Sequence, residues 1–299
     1  MKASSRKLSV VLVSHNSSDV MRGCASSLVA QNFDMTSCAI LVVDNHSTDE
    51  TVPVLQEEYP EFKIISGELN QGFAVAANRG AREGSGEYLL FLNPDTVLEK
   101  GFLRSCCQVL DADASVGIAG PRLVSPDGKA QPSCWRAASW LTLLAEVFLP
   151  HRLGTRIVNV DPGTSMAVRG VSGACLFTRR DVFERVGGFD ERFFMYYEDL
   201  DYCRRVEAEG YRIMHRHDLA TVHTMASSSH KDLGAFFTTY HRSRLFFYRK
   251  HLSLPSLVGG VIRIGLSLRV ASYSILGFVL PRFSELARVH RSALNSLPR

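Results

Sequence analysis

At 299 residues and 45% hydrophobic composition, the chain can bury a full core, as one large domain or as one domain with an extension. Its charged fraction of 21% and mean hydropathy near zero exclude a disordered or fibrous protein. Charge is uneven: from Ala235 onward there are ten basic residues and only Glu285 on the acidic side, a tail of +9 on a chain of +4, which leaves about −5 for the residues before it. An acidic body with a basic tail points to an anionic partner for the tail, a membrane surface or a phosphate-bearing ligand.

The seven cysteines are odd in number and none shows CxxC spacing. That argues against a disulfide framework or a cysteine zinc site and for a reducing compartment. The apolar run Val10 to Val13 is too short for a signal h-region and fits a first strand, Leu8 to Ser14. Ser17 or Ser18 can cap a helix running to about Ala30. Ala39 to Val43 predicts a second buried strand ending in Asp44-Asn45-His46-Ser47-Thr48-Asp49, with Thr48 as the expected N-cap of the next helix. Lys63 to Ser66 predicts a third strand, Ala74 to Ala81 a helix entered through Leu69-Asn70-Gln71-Gly72-Phe73, and Glu87 to Leu92 a fourth strand stopped by Asn93-Pro94-Asp95. Strands alternating with helices predict an α/β layered fold with a largely parallel sheet, whose ligands bind beyond the carboxyl ends of the strands. Asp44 and Asp95 both fall at such ends.

Residues 121 to 170 are broken by prolines and glycines around a helical piece, Trp140 to Leu149, and predict a long functional insertion. Ser172 to Thr178 returns as a strand, followed by a short helix from Arg179 to Val186. The stretch from Gly187 to Ile213 then sets an aromatic run against Glu198, Asp199 and Asp201, at the start of a helix closed by Gly210. Acids at a helix start favour its dipole, and Asp201 can pair with Arg205 one turn on. Asp199 is the candidate base, since aromatic neighbours would desolvate it and raise its pKa. Tyr211 to His215 and Leu219 to His223 predict two short final strands, with His223, near Ser227 to Ser229, a candidate metal ligand. From Lys231 the pattern is helical. Leu257 to Leu280 is strongly apolar, but its longest uncharged run, Val270 to Leu280, is eleven residues, too short to span a bilayer. Ser256, Gly260, Arg263, Ser267 and Ser274 share one helical face there, as expected of an interfacial membrane helix, the alternative being a buried helix or a dimer contact.

The segments VVLVSHN, ILVVDNHSTDET, LNQGFAVAANRG, YLLFLNPD, SGACLFTRRDVFERVGGFDERFFMYYEDLDYCRRVEAEGYRI and TVH, in this order, resemble family 2 glycosyltransferases of the GT-A fold, nearest the rhamnosyltransferase-like branch that builds bacterial surface polysaccharides. The resemblance covers roughly residues 8 to 250. It implies a Rossmann-like, mixed, mostly parallel sheet flanked by helices in residues 1–235, with a C-terminal helical extension in 236–299. Asp44 and the backbone of Ser14, His15 and Asn16 would hold the nucleobase and ribose of a dTDP- or UDP-sugar, while Gly72, Phe73 and Asn78 would shape the nucleotide and sugar pocket. Asn93 and Asp95 stand where the family's DxD-type motif lies, Asn93 in place of its first acid. Asp95 and His223 would hold Mg²⁺ or Mn²⁺. Arg242 and Arg244 would lie near the diphosphate, Asp199 would deprotonate the acceptor hydroxyl, and Glu198 would line the acceptor side. Arg169-Gly170 precede the VSGA strand where relatives often carry an acid and a tryptophan. The implied activity is inverting, metal-dependent transfer of a sugar, with rhamnose expected, to a lipid-linked or polysaccharide acceptor at the cytoplasmic membrane face, with no nucleic-acid partner. A nucleotidyltransferase and a non-catalytic nucleotide-sugar scaffold are the alternatives.

Overall fold

A computed structural model describes residues 7–31, 37–225, 232–278 and 280–298. The first part of the chain alternates β1 (Leu8–Ser14), α1 (Ser18–Val29), β2 (Cys38–Asp44), α2 (Thr51–Glu58), β3 (Lys63–Ser66), α3 (Phe73–Glu83) and β4 (Tyr88–Leu92). It continues through β5 (Thr96–Leu98), α4 (Phe102–Ala112), β6 (Val116–Val124), β7 (Ala130–Gln131), β8 (Cys134–Trp135), α5 (Trp140–Phe148), α6 (His151–Val158), β9 (Asn159–Val160), β10 (Met166–Val168) and β11 (Gly170–Val171). The remainder is β12 (Cys175–Arg179), α7 (Arg180–Val186), α8 (Glu198–Ala208), β13 (Arg212–His223), α9 (Leu233–His251), α10 (Pro255–Gly277) and α11 (Pro281–Ser296).

The main sheet runs β10-β13-β6-β12-β4-β1-β2-β3, with β5 on β13 and β7 on β6. It is parallel through β4-β1-β2-β3 and between β6 and β13, while β12 is antiparallel to both neighbours. Alternate residues of β1 feed opposite faces: Leu8, Val10 and Leu12 pack with α1 and α4, and Val11 packs with α3. Apolar residues at successive positions are what burial of both faces requires. Gly80 lets α3 lie close on the sheet, since a Cβ there would meet Val11 Cγ1 at 2.4 Å.

The chain forms two compact units. The first comprises Met1–Trp135, Val160–Arg192 and Glu198–Ser227 and holds the main sheet. The second comprises Arg136–Asn159, Phe193–Tyr197 and Ser228–Arg299, so it takes in more than an extension beginning at 236. Side-chain packing draws these pieces together. Ser243 Oγ donates to Met195 O at 2.7 Å, and Phe193 packs on Phe246 with ring centroids 4.7 Å apart and the rings tilted by 60°. In this unit α11 packs on α9 and α10, and α5 on α6 and α10.

Some local expectations change. Thr48 is not a helix cap: its N–H donates to Asn16 Oδ1 at 2.8 Å, and Asp49 takes the turn instead, accepting from Thr51 N at 3.1 Å and Ser18 N at 3.0 Å. Burial opposes ionisation of Asp49, but hydrogen bonds from Thr51 and Ser18 win and hold its pKa at about 2. The two final strands are one, β13, because the register shift between Arg216 and Ala220 absorbs the irregularity without ending the pairing to β6. Ser227 to Ser229 and Lys231 lie outside the described residues.

Candidate active site

The parallel register sets Ser14 beside Asp44, and Asp44 beside Ser66, at the carboxyl ends of β1, β2 and β3. The loops above these ends are knitted together. Asn16, at φ +51°, donates its backbone N–H to Ser47 Oγ at 2.9 Å, and His15 Nδ1 lies 3.0 Å from Asn45 O. The Asp44 carboxylate is buried and accepts Ser47 N at 3.1 Å, which makes it a turn cap as it stands. Ser14 Oγ is buried with no hydrogen-bond partner. Asn45 donates to Asn70 Oδ1 at 2.8 Å and to Gly72 O at 3.1 Å, so the loop entering α3 is tied to the loop after β2. Gly72 makes that entry at φ +86°, a conformation open to glycine.

Phe73 packs edge-on against Phe189, with centroids 5.6 Å apart. Asn78 is a strut: its amide donates to Phe189 O at 2.9 Å and to Glu191 Oε1 at 3.0 Å, and its carbonyl accepts Phe189 N at 2.9 Å. Both residues shape the wall beside the rim rather than offering free polar groups to it.

β4 and β13 bring the candidate metal ligands together. Asn93 N donates to Ala174 O at 2.9 Å, and antiparallel pairing of β5 with β13 sets Thr96 against His223, so the preceding Asp95 lies beside that histidine. Asp95 Oδ1 is 3.3 Å from His223 Nε2, and Asp95 Oδ2 is buried with no partner. Gln131, which the sequence reading did not single out, orients the imidazole. Its Nε2 donates to His223 O at 2.8 Å, which turns its Oε1 toward His223 Nδ1 at 3.1 Å. With Nδ1 donating to Gln131, the Nε2 lone pair of neutral His223 faces a carboxylate oxygen. Two acceptors at that separation want a proton or a cation between them, and the orphaned Oδ2 adds a second oxygen donor to the imidazole nitrogen and Oδ1. This donor set fits a divalent cation, with Gln131 in the supporting role such histidines use.

Asp199 reaches the same rim through the segment before β12. Ala174 caps the end of β4, and the next residue back, Gly173, donates its N–H to Asp199 Oδ2 at 2.8 Å, while Leu200 N donates to Oδ1 at 2.8 Å. Burial raises the Asp199 pKa, and these two N–H groups pull it back. Glu198 is pushed well above the usual carboxylate range, first by burial and then by the Asp199 charge, and its Oε2 has no partner. Asp201 is fully buried and accepts Arg205 Nε at 2.7 Å, the expected structural pair. Of the aromatic run, Phe193 and Tyr197 are buried within the second unit, Tyr197 donating to Glu146 Oε2 at 2.9 Å.

Arg242 and Arg244 also belong to the second unit. Arg242 Nε bonds Ser296 O at 3.3 Å, whereas Arg244 is buried beneath the Tyr240 ring near Glu146. Arg169 pairs with Glu207 on α8.

Comparison with known proteins is consistent with this geometry. The family model for glycosyl transferase family 2 matches residues 9–187. The chain is similar to the N-acetylglucosaminyl-diphospho-decaprenol L-rhamnosyltransferase of Mycobacterium tuberculosis, 28% identical over 227 residues that span 70% of this chain and 74% of that one. Among solved structures it is similar to S. aureus TarS in complex with UDP-GlcNAc, with a TM-score of 0.59 at 18% identity over 98% of this chain and 82% of that one. It is likewise similar to the mannosyltransferase PcManGT from Pyrobaculum calidifontis in complex with GDP-Man and Mn²⁺, with a TM-score of 0.58 at 15% identity over 97% and 85% of the two chains. The fold is therefore the expected GT-A fold.

Proposed function

The chain belongs to glycosyl transferase family 2 and is a glycosyltransferase, and from that premise we propose that it transfers a sugar, rhamnose from a dTDP donor, with inversion, to a lipid-linked or polysaccharide acceptor at a membrane surface. The observation that carries the donor half is Asp95 with its unpartnered Oδ2 beside a His223 whose Nε2 is turned to it by Gln131. A divalent cation held by Asp95 and His223 would neutralise the diphosphate leaving group. Ser14, His15, Asn16 and Asp44 lie at or just beyond the strand ends, and ligand binding beyond the carboxyl ends of such strands supports them as the residues that would hold the nucleotide.

On the acceptor side, backbone N–H groups of Gly173 and Leu200 fix the Asp199 carboxylate, and burial raises its basicity toward that of a useful general base. Burial and the Asp199 charge raise the Glu198 pKa in the same surroundings, which favours its acid form and suits it to donate a hydrogen bond to the acceptor. Asp199 takes the acceptor hydroxyl proton as the oxygen attacks the anomeric carbon. The bond from that carbon to the diphosphate breaks with its electron pair leaving on the nucleoside diphosphate. One carboxylate acting from the face opposite the leaving group gives inversion. The relative that acts on a decaprenol-linked sugar supports a lipid-linked acceptor for this chain.

Membrane contact is supported by the second unit. Leu257, Ile264, Leu268 and Ile275 on α10 are all more than half exposed and share one helical face. Arg263 and Arg269 turn away from water onto backbone carbonyls, Arg263 to Leu297 O at 2.8 Å and Arg269 to Val147 O at 3.1 Å. α10 is also long and apolar enough to cross a membrane by length and composition, although a third of its most apolar window is buried in the protein. An apolar stripe, together with exposed Arg282, Arg288 and Arg291 on α11, suits the surface of an anionic bilayer.

The test is a thermal-shift panel of UDP-, GDP- and dTDP-sugars with Mn²⁺ or Mg²⁺, followed by analysis of products. One nucleotide class should stabilise the protein in a cation-dependent way, Asp95→Ala should remove the cation increment, and turnover should release a nucleoside diphosphate. Release of pyrophosphate, or a cation increment unchanged in Asp95→Ala, would overturn the assignment.

A further inference from the structure

The first unit holds a second constellation of metal-ligand type, made of Asp161, His215 and His217. One ligand atom from each lies within 4.8 Å of the other two, and His217 Nδ1 is 3.9 Å from Asp161 Oδ1. The two histidines sit two residues apart near the middle of β13, so strand alternation sends them to the same side. Asp161 directly follows β9. The antiparallel pairing of Met166 with His215 brings the 161–165 turn beside His217, and Ser165 Oγ fastens it there, accepting His217 N at 2.9 Å and donating to Asp218 Oδ1 at 2.8 Å.

The independent observation is His215 itself. Its side chain is completely buried, yet neither Nδ1 nor Nε2 has a hydrogen-bond partner, and His217 Nδ1 has none either. A neutral imidazole carries one N–H and one lone pair, and burying both unused costs free energy that a satisfied ligand role would recover. Burial first, then the neighbouring His217 and Arg122, oppose positive charge at His215 and lower its pKa, against the pull of Asp161 and Asp218. Two imidazoles and one carboxylate form a borderline donor set, suited to Zn²⁺ or Co²⁺ and poorly suited to Mg²⁺. Bonds of about 2.0 Å to a tetrahedral ion need ligand atoms about 3.3 Å apart, so the observed spread closes with small side-chain rotations of Asp161 and His217, both partly exposed.

We propose that Asp161, His215 and His217 form a Zn²⁺-class site, separate from Asp95 and His223, that clips the turn after β9 to β13 and completes its shell with water. The ion would brace the strand that ends at His223 eight residues later.

The test uses the whole chain carrying Asp95→Asn and His223→Ala, which blanks the proposed catalytic cation site, stripped with chelator and titrated with Zn²⁺ and with Co²⁺. One equivalent should bind, with tetrahedral Co²⁺ absorption in the visible range, unaffected by excess Mg²⁺, and Zn²⁺ should raise Tm. Adding His217→Ala should weaken binding at least about tenfold and abolish the Tm increment, and Asp161→Asn should weaken it similarly. These two substitutions are used because truncating fully buried His215 can compromise folding by itself. Absence of stoichiometric uptake, or uptake undiminished by His217→Ala, would overturn the proposal, the latter by moving the ion to other ligands.

Discussion

Glu198 and Asp199 are neighbours in sequence with different surroundings, and that difference suits them to different roles. Asp199 has a backbone N–H on each oxygen, whereas Glu198 has a buried oxygen with nothing to bond. Asp199→Asn keeps the shape and removes the base, so kcat should fall about 10²- to 10⁴-fold while donor binding in the thermal-shift assay persists; full transfer activity would remove Asp199 from the mechanism. Because burial raises its pKa, the acid limb of kcat/KM should lie above the ordinary aspartate value of about 3.9. Glu198 makes a stability prediction. A carboxyl whose folded-state pKa is raised contributes stability below its unfolded pKa, about 4.3, and loses it as pH rises through the folded value. Glu198→Gln does not titrate, so its Tm relative to the wild type should climb with pH by roughly 2–4 °C per unit within that window. A pH-independent difference would show that Glu198 is not held protonated. The pairing of Asp201 with Arg205 was legible from their i, i+4 spacing, but Gly173 as the clamp on Asp199 was not, because its N–H becomes a neighbour only when α8 packs on β11, the strand just before Gly173.

At the scale of elements, α3 and α10 show how one helix serves two ends. Asn78 on α3 holds the loop carrying Phe189, which in turn packs on Phe73. Asn78→Ala leaves the buried Phe189 backbone groups unpartnered and should cost about 1–3 kcal/mol, seen as a Tm drop of several degrees. Its KM for donor, measured well below Tm, should change by less than about threefold; a large KM change at unaltered Tm would make Asn78 a donor contact instead. α10 packs through Val258, Ile262, Leu266 and Val270, leaving the opposite apolar stripe uncovered within its unit. Replacing Leu257, Ile264, Leu268 and Ile275 with serine should reduce binding to anionic vesicles at least about tenfold while Tm stays nearly unchanged, since exposed positions carry little folding energy. Undiminished vesicle binding would refute the interfacial role. Deleting residues 256–299 is a poorer test, because it removes helices that pack on α9.

For the whole molecule, the sequence by itself determined the α/β class, most strand positions and the family, because buried parallel strands show as apolar runs and strand-end polar residues sit at short, recurrent spacings. The family resemblance also singled out Asp95, Asp199 and His223, the residues on which the proposed function rests. Only the tertiary structure decided what surrounds them. His223 adjoins Asp95 through the β5–β13 pairing, Gly173 in the turn before β12 bonds Asp199, and Gln131 turns the His223 imidazole from a segment that carries no periodic signal. The second unit was likewise invisible to a boundary drawn along the chain, since side-chain packing among Phe193–Tyr197, α5 and α9 gathers pieces far apart in sequence. Local periodicity records which face of an element is buried; it does not record which distant element buries it, and that choice, made by long-range packing, is what assembles the site.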